Sequence, residues 1–242
     1  MSIHFASCAV GSSARFSTSL RLAACGAVAA AVLSLSACGG GGGYSGNVPS
    51  ALDFKVDSAV SAYASTAHQF NLTGVLNGVT YTASFSLTPG APGTFEGKPA
   101  STSVQTVALR SNGTLAAETT TTSYFATNPY YAAYGSVDQV DGGYSVFNQT
   151  ANLPVTARVG QSGPLGTGID YADIRKTQVT DTSTVTWSLE ADTASTAMLC
   201  VNTVIPGSLP ITASECYRID ANGTLSGLVL KVTVDGKTLI LS

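Results

Sequence analysis

Apolar and polar residues alternate one by one along much of this chain, which is the pattern of β-strands with one buried face. The run from 81 to 87 places its apolar side chains on one face and threonine or serine on the other. Asn77-Gly78 precedes this run, and the dipeptide favours the two-residue turn of a β-hairpin because both residues tolerate positive φ. The turn predicts two cross-strand pairs on the apolar face, Phe70 with Phe85 and Leu72 with Ala83.

The last residues repeat this arrangement around Asp235-Gly236, which sets Val232 against Leu239 and Leu230 against Leu241. Two further turns are predicted at Asn112-Gly113 and Asn222-Gly223. Between them, apolar residues at 185, 187 and 189 alternate with polar ones, so this strand is expected to carry Trp187 into the core. The chain is therefore expected to form at least four hairpins and to end inside its sheet.

One segment has the periodicity of a helix. Val56, Val60 and Tyr63 lie three and four residues apart, which predicts one short amphipathic helix near 57–66. The remaining pattern predicts a mainly β fold in which antiparallel sheets form a sandwich, a barrel or a half-barrel. This domain is expected to cover residues 53–242, and two halves of it are expected to meet near 127–143.

The start of the chain has a different pattern, that of a secretory signal. Arg15 and Arg21 precede an apolar stretch at 22–37, and the first 21 residues contain no acidic residue. These sixteen apolar positions are fewer than the about 20 that span a bilayer core. The stretch ends in Leu35-Ser36-Ala37-Cys38 followed by five glycines, and this motif resembles the lipobox of bacterial lipoproteins.

The resemblance implies that a diacylglycerol is attached to the thiol of Cys38 and that a signal peptidase removes residues 1–37. Two or more acyl chains hold a protein firmly at a membrane, whereas one chain holds it only marginally. Residues 38–52 then form the acylated cysteine and a flexible glycine-rich tether. In lipoproteins of Gram-negative bacteria an aspartate after the cysteine commonly causes retention at the inner membrane, so Gly39 in that place implies the outer membrane.

Charge and composition exclude some partners. From Cys38 onward the chain has nine basic and fourteen acidic residues, a net charge of −5, and no basic cluster. Nucleic acid is therefore not an expected partner, because phosphate binding needs clustered lysine and arginine. The expected partner is the membrane, through the N-terminal lipid anchor, and a further partner is left open between protein, glycan and hydrophobic ligand.

Cys200 and Cys216 are the two cysteines that remain once Cys38 is acylated and the signal is removed. In an oxidising compartment two such cysteines are expected to form a disulfide. Pro206, Gly207 and Pro210 predict that the enclosed segment is a long loop, which the disulfide closes. A metal site is the weaker alternative, since no second cysteine pair and no histidine lies nearby.

No motif predicts a catalytic, cofactor or metal site. Carboxylate-based glycoside hydrolysis stays open as an alternative, because it needs only two suitably separated acids, and the candidates are Glu96, Glu118, Glu190 and Glu215. The most suggestive cluster is aromatic, because exposed rings bind sugars and apolar ligands. Its members are Tyr124, Phe125, Tyr130, Tyr131 and Tyr134. The competing interpretation is that these rings fill the core and the rim of the sheet.

The C-terminal half is similar to uncharacterised β-rich lipoproteins of proteobacteria that carry a glycine run after the lipobox. The similarity rests on Leu153-Pro154, Gly160-Gln161-Ser162-Gly163, Tyr171-Ala172-Asp173, Trp187 and Cys216-Tyr217-Arg218-Ile219. It implies no activity. The predicted function is a non-enzymatic, lipid-anchored β module of the cell envelope with a binding or structural role. The alternatives are a half-barrel carrier of lipid or another hydrophobic ligand, and a carboxylate-based envelope hydrolase.

Overall fold

A single antiparallel sheet and one short helix make up the fold in the computed structural model, which describes residues 50–127 and 132–242. The helix α1 spans Val56–Ser65. The strands are β1 (His68–Leu76), β2 (Val79–Pro89), β3 (Gly93–Phe95), β4 (Lys98–Ser111), β5 (Thr114–Phe125), β6 (Ala133–Asp138), β7 (Tyr144–Gln149), β8 (Ser162–Tyr171), β9 (Val179–Ala191), β10 (Thr196–Ile205), β11 (Ile211–Asp220), β12 (Leu225–Val234) and β13 (Lys237–Leu241). Each strand pairs with its neighbours in chain order, except that β3 pairs only with β4.

The sheet curls until its first and last strands meet. β13 pairs with β12, and the backbone of Ser242 exchanges two hydrogen bonds of 3.0 and 3.1 Å with Thr73 of β1. A side chain at Gly74 would collide with the carbonyl of Ile240 on β13, so a glycine is needed for this close approach. The result is a nearly closed barrel of twelve strands, one of the three architectures that the sequence predicts.

The two hairpins with predicted registers have those registers. Phe70 pairs with Phe85 and Leu72 with Ala83 around Asn77-Gly78, whose φ angles are 54° and 77°. Around Asp235-Gly236, Val232 pairs with Leu239 and Leu230 with Leu241. Both predicted registers are therefore confirmed. They are strongly specified because the side-chain period of a strand is two, so a slip of one residue would turn the whole apolar face toward water.

Helix α1 packs against the inner face of the barrel. Its buried residues share one side of the helix and join the same core as the inward-facing residues of the strands; they are Val56, Ala59, Val60, Tyr63 and Ala64. Just before the helix, Phe54 exchanges two backbone hydrogen bonds of 2.9 Å with Ala157. The predicted helix is therefore confirmed, and it fills part of the barrel interior. Within the described residues, no helix has the length and apolar character needed to cross a membrane.

The strands on both sides of the predicted meeting point at 127–143 belong to the same sheet. β6 lies inside this range and pairs with β5 on one side and with β7 on the other. Apolar residues from β1, β2 and the strands from β5 to β13 form one continuous core with α1, to which Trp187 contributes with 6% of its surface exposed.

Candidate functional site

A gap in the barrel wall lies between β1 and β12, beyond the end of β13. β13 pairs with residues 230–234 of β12, whereas residues 225–229 have a described strand partner only in β11. Residues 68–72 of β1 likewise pair with β2 alone within the described part of the chain. The gap is a cavity of about 1100 Å³, which we call the slot. Residues that line it include Phe70, Asn71, Leu72, Met198, Gly227 and Leu228.

The two walls of the slot direct backbone hydrogen-bonding groups into it. In an antiparallel sheet, every second residue points both its N–H and its C=O toward the same neighbour. Thr73 points toward Ser242, so Asn71 and Gln69 point in the same direction, into the slot. On β12 the two-residue turn makes Val234 and Lys237 a hydrogen-bonded pair. Because the pattern repeats every second residue, the backbone N–H and C=O of Leu230 and of Leu228 also face the side of β13. For Leu228 that side is the slot.

The side chains of the slot differ between its inner and outer ends. Leu72 and Leu228 are buried in the barrel core, and Phe70 packs against the same core. Asn71 is exposed on the outer side, where Arg218 also lines the slot. The Nε atom of Arg218 donates to Asp192 at 2.8 Å, so the guanidinium is already engaged by a carboxylate. The slot therefore has an apolar inner end and no strong net charge at its outer end.

Asp192 is buried, and burial raises the pKa of its carboxyl group, but hydrogen bonds from Arg218 and Thr196 outweigh this effect. The pKa of Asp192 is therefore lowered, and the carboxylate stays charged beside Arg218. This pair fixes the side chain of Arg218 at the edge of the slot.

The predicted disulfide between Cys200 and Cys216 is present and lies beside the slot. The two cysteines stand directly opposite each other on β10 and β11. They form a buried cluster on the outer face of the barrel with Met198 and Val229, which line the slot. The prediction of a long loop between the cysteines is wrong, because most of the enclosed residues continue the two strands of a hairpin. Alternation at Leu199 and Val201, which face the core, is the sequence signal for these strands.

A buried carboxyl group lies inside the barrel near α1. Glu215 of β11 is 0% exposed, and its Oε1 atom lies 3.3 Å from the hydroxyl of Tyr63 on α1. Burial raises the pKa of Glu215 to about 8, although the hydrogen bond with Tyr63 opposes the shift. Burial and the neighbouring Glu215 also raise the pKa of Tyr63. Both groups are therefore neutral at pH 7.

The hydrogen bonds around Tyr63 agree with a protonated Glu215. The Tyr63 hydroxyl lies 3.0 Å from Oε1 of Gln105 on β4 as well as near Glu215. A tyrosine hydroxyl has one proton, which it gives to one acceptor at a time. If Tyr63 donates to Gln105, a protonated Glu215 donates to Tyr63. The three side chains then form a chain of hydrogen bonds that links α1 to β4 and to β11. No described group is within hydrogen-bonding distance of Oε2 of Glu215.

The predicted aromatic residues do not form one ligand-facing cluster. Phe125 is 1% exposed and belongs to the barrel core, which agrees with the competing interpretation of a core-filling ring. Its neighbour Tyr124 points to the opposite face, because successive strand residues alternate. Tyr124 and Tyr134 instead pack on the outside of the barrel around Phe95 and Tyr144. Tyr130 and Tyr131 lie outside the described residues.

Phe95, which the sequence does not single out, is the centre of this outer group. Its ring stacks on that of Tyr144 with centroids 5.2 Å apart and contacts Tyr124 with centroids 5.0 Å apart. The hydroxyl of Tyr144 donates to Glu96 at 2.6 Å, and this bond, with a second from Lys176, lowers the pKa of Glu96. The outer aromatic rings are therefore packed mainly against one another.

None of the four candidate glutamates shares a partner with another. Glu96 bonds to Tyr144 and Lys176, Glu190 forms an ion pair with Lys231, and Glu215 contacts Tyr63. Glu118 is exposed on β5. Among the described residues one grouping has the composition of a metal site, namely Glu190 with Cys200 and Cys216, but the two sulfur atoms are bonded to each other and so offer no thiolate.

The lipid attachment site predicted at Cys38 lies outside the described residues. The slot is not among the sequence-based predictions, although the sequence contains a signal for it. The apolar face of the last hairpin begins at Leu228 in one strand, whereas the other strand provides partners only for residues from Leu230 onward. Among the described residues, the first part of β12 therefore has no strand partner on this side.

No protein-family model matches this chain, and neither a curated protein nor a solved structure matches it.

Proposed function

We propose that this protein is a non-enzymatic, lipid-anchored binding module of the cell envelope, and that the slot between β1 and β12 is its binding site. The observation that carries the proposal is the slot itself. It is a cavity of about 1100 Å³ with an apolar inner end and with backbone groups that face it from both walls. Concave sites that combine apolar walls with a few polar groups are typical ligand sites.

The anchor is Cys38, which the lipobox resemblance assigns to acylation. The described chain begins at the end of the barrel that contains the turn between β9 and β10, where the hydroxyl of Ser50 donates to the carbonyl of Ala194 at 2.9 Å. The uncovered residues of β12 begin at this same end, directly after the turn between β11 and β12. The described chain therefore enters the barrel at the end where the slot lies.

A carrier of lipid or another hydrophobic ligand is the second candidate, and the observation that favours it is the apolar inner end of the slot. Phe70, Leu72 and Leu228 provide a surface that an acyl chain would contact. The rest of the interior offers less support for a carrier, because α1 and the core side chains occupy it. A carrier would therefore use the slot rather than the centre of the barrel.

Replacing Gly227 by tryptophan is expected to weaken ligand binding by closing the outer mouth of the slot. A Cβ atom at Gly227 would meet only the Arg218 side chain, at 3.6 Å, which is ordinary van der Waals contact, so the fold accepts a side chain there. The measurement is the fluorescence of N-phenyl-1-naphthylamine, an apolar dye, titrated with the full chain in lipid nanodiscs. We expect saturable binding to the unsubstituted protein and about tenfold weaker binding to Gly227→Trp.

Gly207→Trp is the matched control, because Gly207 lies in the turn between β10 and β11, and no atom lies within 4 Å of the position that a Cβ atom would take there. This variant should bind the dye as the unsubstituted protein does. Equal loss in both variants, or no saturable binding to the unsubstituted protein above that of empty nanodiscs, would contradict the slot as the binding site.

A further inference from the structure

We infer that the slot receives an extended strand of another polypeptide, which completes the barrel wall between β12 and β1. The inference rests on the proposed function and names the ligand of that site. The molecule itself contains a strand in an equivalent place. β13 sits between the same two strands, β12 and β1, and the slot continues in line with it.

The backbone of the slot favours a peptide over an acyl chain. Gln69 and Asn71 on one wall and Leu228 on the other direct N–H and C=O groups into the same space. Buried backbone groups require hydrogen-bond partners. An added strand provides donors and acceptors at the strand spacing of about 4.8 Å on both of its edges, whereas an acyl chain provides none and would leave these groups unpaired.

The registers of the neighbouring strands fix where the side chains of the added strand would lie. Ser242 stands opposite Thr73, and Leu241 stands opposite Leu230. The first residue of an added strand in line with β13 would lie between Leu72 and Leu228, which are both buried in the core. The position after it falls beside Asn71 on the outer face, and the third falls beside Phe70. The ligand is therefore a strand with apolar residues at alternate positions and polar residues between them.

The test uses two capped pentapeptides that alternate valine and threonine, one of them N-methylated at two alternate residues. N-methylation removes backbone donors and keeps the side chains, so it separates strand pairing from apolar contact. Fluorescence anisotropy of each labelled peptide is measured against the full chain in nanodiscs, with empty nanodiscs as the blank. The inference expects saturable binding of the unmethylated peptide and at least about tenfold weaker binding of the methylated one, since each lost hydrogen bond is worth about 1 kcal/mol.

Asn71→Pro is the corresponding change in the protein, with Gly207→Trp, which lies outside the slot, as its control. Proline removes the N–H that Asn71 directs into the slot and no donor of the ladder to β2. We expect about tenfold weaker peptide binding for Asn71→Pro and the affinity of the unsubstituted protein for Gly207→Trp. If Asn71→Pro does not fold, the two peptides with the unsubstituted protein decide the question.

Two results would overturn the inference. Equal affinity for both peptides would show that side-chain contact, not strand pairing, drives binding. Absence of peptide binding would show that the slot takes another occupant, such as a lipid, a second copy or another segment of this chain. In either case, dye binding that Gly227→Trp weakens and Gly207→Trp leaves unchanged would still support the slot as a binding site, so failure of the inference and failure of the proposed function can be told apart.

Discussion

Replacing Glu215 by glutamine is expected to stabilise the folded protein by several kcal/mol at pH 8. The pKa of Glu215 is raised by burial from an ordinary 4.5 to about 8 in the folded state. Between these two values the unfolded chain releases the proton and the folded chain keeps it. The free energy of unfolding therefore falls as pH rises, by up to about 1.4 kcal/mol per pH unit, and the total loss is about 5 kcal/mol.

The sign of this effect is opposite to that of an ordinary salt-bridged carboxylate. The stability that depends on the protonated Glu215 is fully present below pH 4.5, is lost progressively up to about pH 8, and does not change further above that. Glutamine keeps the size of the side chain and donates to Tyr63 at every pH. The difference in stability between Glu215→Gln and the unsubstituted protein should therefore be small at pH 4.5 and should grow toward pH 8.

Urea unfolding of both proteins at several pH values measures this difference directly. Glu118→Gln is the control, because Glu118 is an exposed glutamate of the same sheet, and its substitution should leave the pH profile unchanged. A difference in stability between the two proteins that does not vary with pH would show that the pKa of Glu215 is not raised in the folded state.

The cysteines are expected to divide into two groups with separate effects. Cys38→Ser should abolish incorporation of labelled palmitate and remove the protein from the outer-membrane fraction, because the proposed site of lipid attachment is this thiol. The thermal unfolding of the barrel should remain unchanged. Replacing Cys200 and Cys216 together by serine should leave palmitate incorporation intact and lower the free energy of unfolding by about 3 kcal/mol, the value for a loop of this length.

Each cysteine variant is the control for the other. The Cys200 and Cys216 side chains are 0% and 1% exposed, so their replacement acts on the folded barrel and not on the anchor. Palmitate incorporation into Cys38→Ser would refute the lipobox assignment. A change in labelling when only Cys200 and Cys216 are replaced would place the acylated thiol elsewhere.

The parts of the fold that the sequence predicts are those set by local rules. Asn77-Gly78 and Asp235-Gly236 fix two registers because the turn geometry and the alternation of apolar residues agree. The helical spacing of Val56, Val60 and Tyr63 fixes α1. The closure of the sheet is not set by local rules. It depends on the meeting of Thr73 with Ser242, residues that are far apart in the chain and belong to no local pattern.

The site residues also divide into those that the sequence predicts and those that depend on the three-dimensional fold. The pairing of Cys200 with Cys216 is predicted from the cysteine count and the expected compartment, whereas their environment follows from the hairpin between β10 and β11. Glu215 is one of four equivalent candidates in the sequence, and its burial depends on α1 entering the barrel. Proximity in sequence groups Phe125 with Tyr124, although adjacent residues of a strand face opposite sides. The slot forms because β13 covers only part of β12 and because the sheet closes on β1. It can therefore be recognised only in the three-dimensional fold.

We propose that the slot is open and that its backbone groups can pair with a ligand strand, and hydrogen exchange of individual amides reports on these groups. In the ligand-free full chain, the amides of Asn71 and Leu228 should exchange much faster than those of Phe70 and Leu72, which face β2. Addition of the alternating valine and threonine pentapeptide should slow exchange at Asn71 and Leu228 and leave Phe70 and Leu72 unchanged. Slow exchange at Asn71 and Leu228 before any ligand is added would contradict the account, because the slot would then already be filled.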